Sequence, residues 1–172
     1  MVRPSAPAGH HEAAGFSLLE VLVTIAMITI LTGLASVGLS GFLRNLRLRT
    51  ASDVVKNQLL VARLRAVANA SIPCGVYFDM TNHKSLVFFD DGPTTRYQYS
   101  STEDRTYSSA VALPPGFTFV ATSTPLTNNC IVFRGDGSAK AGGSIRIRDP
   151  SGRIREISVL ASTGRVKVIV PS

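Results

Sequence analysis

The residue whose surroundings point most clearly to a function is Glu20. It is followed by 23 residues, Val21–Leu43, without a charge. A charged side chain in a spanning helix costs about 2.5–3.5 kcal/mol at the bilayer centre on insertion scales, so one that is kept there is a functional suspect. The chemistry it offers is charge pairing, which sets register between packed helices. Just before it stands Ala13-Ala14-Gly15, a junction of small residues. An ordinary secretory signal carries its apolar stretch ahead of its cleavage site. Here the order is reversed, so a cut after Gly15 removes residues 1–15 and leaves the apolar stretch on the mature chain.

The other reactive side chains are sparse. His83 is the sole histidine after the junction, so no histidine pair remains there, and the chain has no Cys-x-x-Cys or phosphate loop. No triad can be assembled with a spacing signal. Asp90-Asp91-Gly92 could offer carboxylates to calcium, but the run reads more simply as a turn. The expectation is a non-enzymatic chain with no metal, no cofactor and no small-molecule substrate. Two cysteines, Cys74 and Cys130, are either a disulfide formed in an oxidising compartment or two buried free thiols. A bridge closing so long a loop would add about 4 kcal/mol on the chain-entropy estimate.

Charge is the remaining resource. From Arg44 onward there are 17 basic and 9 acidic residues, a balance that attracts nucleic acid, anionic lipid or an acidic protein surface. Arg146 and Arg148 share a strand face by period two, as do Arg153 and Arg155, and Arg165 and Lys167. On neighbouring strands these residues would form one cationic stripe able to grip phosphates with little base specificity. The alternative is a solvated outer face over a core of Ile145, Ile147, Ile154, Val166 and Val168.

The elements that must position these residues can be read from the sequence pattern. A stretch of about 20 apolar residues matches about 30 Å of hydrocarbon, so residues 16–43 are expected to span a membrane. Residues 44–71 continue the helix: there is no proline or glycine from Arg44 to Asn69, and Ala51, Val54, Val55, Leu59, Ala62 and Ala66 make one apolar face. Asp53, Lys56 and Arg63 lie away from it. Ser71-Ile72-Pro73 ends the helix. Residues 72–172 then change to period two, with strands expected at Cys74–Phe78, Ser85–Asp90, Thr95–Tyr99, Phe117–Ala121, Cys130–Arg134, Ser144–Arg148, Arg153–Leu160 and Arg165–Val170. Ser100–Ser109 is expected to be a loop. Turn residues separate the strands, and the whole reads as an α+β chain: a long N-terminal helix packed on an antiparallel sheet or small sandwich.

Across the junction the chain reads Gly15-Phe16-Ser17-Leu18-Leu19-Glu20, which resembles the type IV pilin family, including the pseudopilins of type II secretion. The resemblance implies that a prepilin peptidase cuts between Gly15 and Phe16 on the cytoplasmic side and methylates the Phe16 amine. Glu20, then fifth in the mature chain, would pair with the Phe16 amine of its own or a neighbouring subunit. The resemblance also implies the orientation: N-terminus cytoplasmic, C-terminal domain periplasmic, anchored in the inner membrane. Positive-inside counting points the other way, since Arg44, Arg47 and Arg49 trail the apolar stretch while the leader holds Arg3, His10 and His11.

The C-terminal half is similar to the GspH/FimT branch of minor pseudopilins. The residues that carry this likeness are Ile131-Val132-Phe133-Arg134-Gly135-Asp136-Gly137-Ser138, Gly143–Arg148, Arg155–Val159 and Ser162–Val168. Two roles are implied. One is a minor subunit near the tip of a type II secretion pseudopilus or a type IV pilus, with other pilin subunits as partners. The other is DNA capture for natural transformation through a C-terminal Gly-Arg-x-Arg motif, matched here by Gly164, Arg165 and Lys167. Lysine keeps the charge but lacks the planar fork of arginine.

Overall fold

The computed structural model of the chain describes residues 17–94, 96–121 and 126–170, without the side chains of 34–38. It divides into two compact units, with the boundary between Phe42 and Leu43. One helix, α1 (Leu18–Ala68), contributes to both. The Ser17 carbonyl accepts the amides of Glu20 at 2.9 Å and Val21 at 3.2 Å, which starts the helix on a serine. At the other end the Ile72 amide bonds to the Asn69 carbonyl at 3.0 Å, and Pro73 cannot continue the ladder.

The second unit builds its core from Leu48 onward. Ala51, Val55, Leu59, Ala62 and Ala66 are buried on one helix face, as the periodicity predicts, and Leu48 extends that face. Val54 is exposed, and Ser52 and Gln58 are buried instead. Their polar groups are satisfied locally: Ser52 Oγ donates to the Leu48 carbonyl at 2.8 Å, and Ser85 Oγ donates to Gln58 Oε1 at 2.6 Å.

Among the described residues the strands form two antiparallel sheets. The strands are β1 (Cys74–Asp79), β2 (Lys84–Phe89), β3 (Arg105–Thr106), β4 (Val111–Ala112), β5 (Thr118–Val120), β6 (Cys130–Phe133), β7 (Gly143–Arg148), β8 (Ile154–Val159) and β9 (Val166–Ile169). The first sheet runs β3-β2-β1-β6, with β4 also on β2; the second runs β5-β7-β8-β9. Their inner faces meet the helix in one cluster that joins Val55 and Leu59 to Val76, Phe78, Ile131 and Phe133 of the first sheet and Phe119, Ile145, Ile147 and Ile157 of the second.

The expected strand Thr95–Tyr99 is not one. Thr95 lies outside the described residues, and Tyr97 has φ +64°, which breaks extended pairing. The segment is a strap over the outer face of the first sheet, where Tyr97 and Tyr99 pack against Phe88, Cys130, Val132 and Tyr77. The Tyr99 ring centroid sits 4.8 Å from that of Tyr77 and 5.2 Å from that of Phe88. Two carboxylates pin the strap. Asp90 Oδ2 accepts the Tyr97 amide at 2.9 Å; Asp104 accepts the amides of Ser100 at 2.7 Å and Gly92 at 3.2 Å. The Ser100–Ser109 stretch also contains β3.

Candidate functional site

In the first unit, Gly15 and Phe16 lie outside the described residues. Glu20 sits in the first turn of α1 with its side chain exposed, where the helix dipole favours a carboxylate. Leu18, Leu19, Leu22, Ile25, Met27, Ile28, Ile30 and Leu31 are all exposed as well, so the helix is apolar around its whole circumference. Its threonines turn their hydroxyls inward: Thr24 donates to the Val21 carbonyl at 2.8 Å, Thr29 to Ile25 and Ala26, and Thr32 to Ile28 at 2.7 Å. That satisfies them without water. Among the described residues no helix is long and apolar enough to cross a membrane; the expected span includes the five side chains at 34–38 that are not described.

The second sheet places the basic residues. Register puts Arg146 opposite Glu156, Arg148 opposite Ile154, and Lys167 opposite Ser158, all on the outer face. Arg155 instead pairs with buried Ile147, on the core-facing side. Arg153, two residues earlier, follows the same alternation and folds back onto Asp149, with Nη2 3.0 Å from Oδ2. The single stripe expected from β7, β8 and β9 therefore does not form, although the three strands are neighbours. Arg146 is also spent on Glu156 at 2.8 Å. Arg148, Arg165 and Lys167 remain exposed.

Asp149 is 3% exposed. Burial pushes its carboxyl up, but hydrogen bonds from Ser151 and Arg153, together with the Arg153 charge, outweigh this and hold it below the usual carboxylate range. Asp90 is the opposite case. It is 1% exposed, and its Oδ1 has no hydrogen-bond partner among the described residues. Burial raises its pKa more than the Tyr97 amide lowers it, and Asp104 adds to the rise.

Gly164 has a structural task. It adopts φ +60°, and a Cβ there would clash with the Gly137 carbonyl oxygen. Arg63 ties this junction to the helix: Nε donates to the Gly137 carbonyl and Nη2 to the Thr163 carbonyl, each at 3.0 Å. Helical periodicity puts Arg63 on the solvent side and gives no hint of this clamp, because two carbonyls from distant turns leave no local signal. The neighbouring Arg165 amide bonds to Thr163 Oγ1 at 3.3 Å, and its side chain points to solvent.

The disulfide alternative is excluded, and the two cysteines are free and buried. On the antiparallel β1–β6 pair Cys74 stands opposite Phe133 and Cys130 opposite Tyr77, so the two lie at opposite ends of the pairing. They also face opposite ways, Cys74 into the main core and Cys130 into the cluster under the strap. Three residues of strand, about 10 Å, exceed the reach of a bridge. Burial pushes the thiols up to about 12 for Cys74 and about 11 for Cys130. His83, at φ +51°, accepts the Phe119 amide on Nδ1 at 3.3 Å. Among the described residues no group of three or more His, Cys, Asp or Glu is placed to hold a metal ion.

Comparison with known proteins bears on both units. The prokaryotic N-terminal methylation motif matches residues 11–36. Type II secretion system protein H of Xanthomonas campestris pv. campestris is 36% identical over 67 residues, which span 39% of this chain and 40% of that relative. The fold is similar to the minor pseudopilin EpsH from the type 2 secretion system of Vibrio cholerae, with a TM-score of 0.52 at 11% identity, covering 73% of this chain and 98% of that one. A second EpsH structure aligns with a TM-score of 0.47 at 12% identity, covering 76% and 97%. The chain thus carries the N-terminal methylation motif at residues 11–36 and shares with EpsH the fold of a helix packed on antiparallel sheets.

Proposed function

We propose that this chain is a minor subunit of a type II secretion pseudopilus, a reading supported by its N-terminal methylation motif, its partial likeness to type II secretion system protein H and its fold. A prepilin peptidase removes residues 1–15 and methylates Phe16, residues 16–43 anchor the chain in the inner membrane, and the β-rich domain stands in the periplasm near the filament tip. The observation that carries this reading is Glu20 in the first turn of a helix that is apolar on every side. A lone carboxylate there has no purpose in anchoring, which needs only apolarity, but in an assembled filament it meets the amine of Phe16. The protein then works by packing against other pilin subunits, without catalysis.

The test is made in cells. Mass spectrometry of the mature chain is expected to find methylated Phe16 at the N-terminus; any other terminus removes the processing step. Glu20→Ala is expected to insert into the membrane but to enter filaments poorly. Normal incorporation of that variant would give the carboxylate a different purpose.

The second reading, DNA capture, rests on exposed Arg148, Arg165 and Lys167. The inward turn of Arg155 and the pairing of Arg146 and Arg153 weaken it. Duplex DNA binding by the chain that falls with salt, and falls further in Arg165→Ala/Lys167→Ala, would restore this reading.

A further inference from the structure

The basic residues missing from the outer face of the second sheet are gathered elsewhere. The turn joining β7 to β8 folds against the first helical turns of its own unit and leaves two open hollows. One, of about 410 Å³, has Arg44 and Arg47 on one side and Phe117, Asp149 and Pro150 on the other. The second, of about 340 Å³, runs from Asn45 and Leu48 to Arg153, Arg155 and Val170. Arg148 adjoins the same turn and is exposed, and Arg49 lies in the same stretch of helix. Among the described residues Asp149 is the one acid lining either hollow, and it is already paired with Arg153. One end of the domain thus concentrates six arginines.

This end is also where the apolar stretch of the chain stops. Arg44 directly follows Leu43, and Arg49 is six residues on, about 9 Å of helix rise. The headgroup layer on each side of a bilayer is roughly 5–8 Å thick. Arg44, Arg47 and Arg49 alone would look like an orientation signal pointing the wrong way. Arg148, Arg153 and Arg155 are a hundred residues downstream and lie outside the range of such counting, yet folding brings them to the same place. A surface assembled from both parts of the chain is better explained by what it touches.

We propose that this end of the domain seats on anionic lipid headgroups of the leaflet it faces. Arginine forks suit phosphate oxygens, and the long side chains reach back toward the headgroups from the first helical turns. The seat holds the domain down on the membrane before assembly and releases it as the subunit is drawn out. This inference rests on the anchor reading above.

The full-length chain is reconstituted into nanodiscs of phosphatidylcholine, alone or with phosphatidylglycerol, and amide hydrogen exchange is followed. Amides of residues 149–155 are expected to exchange severalfold more slowly in the anionic discs. The difference should vanish at high salt and in Arg44→Glu/Arg47→Glu/Arg155→Glu. It should persist in Lys84→Glu/Arg96→Glu/Lys140→Glu, which changes the net charge equally at exposed sites elsewhere. Exchange in the core strand β1 reports whether each variant remains folded, and Arg→Gln replacements at the same three sites repeat the test if the first variant does not. Equal exchange in both lipids, or equal loss in the two sets of variants, would overturn the seat while leaving the anchor intact. Failure of the chain to co-elute with the discs would overturn the anchor, and the seat with it. Loss of duplex DNA binding in the first set without any change of exchange in anionic discs would assign these arginines to nucleic acid instead.

Discussion

At the scale of single residues, the chain invests in positions where one side chain, or its absence, decides the local backbone. Gly164 is the clearest: its positive φ disfavours any Cβ, and the Gly137 carbonyl oxygen occupies the space a Cβ would need. Gly164→Ala is expected to destabilise the domain by about 3 kcal/mol or more, read by urea unfolding. A loss below about 1 kcal/mol would mean the turn relaxes freely. The first residue of the Gly-Arg-x-Lys run is therefore required by the fold before any ligand is considered. Asp90 and Asp149 make a second pair of opposites. Asp149 has a lowered pKa, so its stabilisation is present above the ordinary carboxylate range and is lost as pH falls through its folded value. Asp90 has a raised pKa, so its charged form carries a penalty that is absent in acid and grows as pH rises through the folded value. The difference in melting temperature between Asp90→Asn and wild type should shift in favour of the variant from about pH 3 to pH 7. A constant difference across that range would show that the carboxyl does not titrate abnormally.

At the scale of elements, α1 is held to the sheets by apolar burial along one face and by polar ties, Gln58 to Ser85 and, near its end, the Arg63 clamp. Arg63 satisfies two turn carbonyls that would otherwise lose their partners, so Arg63→Ala should cost about 1–3 kcal/mol, with increased proteolysis around residues 137 and 163 as the check. Unchanged protection there would make the clamp dispensable. The helix is legible because its 3.6-residue period runs uninterrupted from Ala51 to Ala66, and of the eight strand regions that turn residues mark off, seven hold strands. The failures share a cause. Alternation tells which residues share a face but not which face it is, so it groups Arg153 and Arg155 with Arg146 and Arg148 although β8 turns Arg155 to the core-facing side and Arg153 is paired with Asp149. Alternating tyrosines look like a strand at 95–99, yet Tyr97 and Tyr99 reach the sheet from a strap that two acids tie down. Two cysteines in one domain suggest a bridge; only strand register, which depends on pairing across 56 positions, separates them.

At the scale of the whole molecule, the N-terminal segment is apolar in every direction, whereas the second unit closes a core of its own. The first needs lipid or other subunits to cover it, and the second supplies a charged surface. On the proposed reading, assembly falls to the segment containing Glu20 and recognition to the domain, so variants in one should leave the other intact. The two cysteines add a consequence for how the domain comes apart. Each thiol is hidden in a different layer, Cys74 between helix and sheet and Cys130 between sheet and strap, and with pKa values near 12 and 11 neither reacts readily while covered. They form a chemical stopwatch with two hands. In a timed alkylation read by peptide mass, modification of Cys130 ahead of Cys74 would record the strap lifting before the core opens, and simultaneous modification would record a single cooperative event; in either case the protein carries its own probe of the order in which it unfolds.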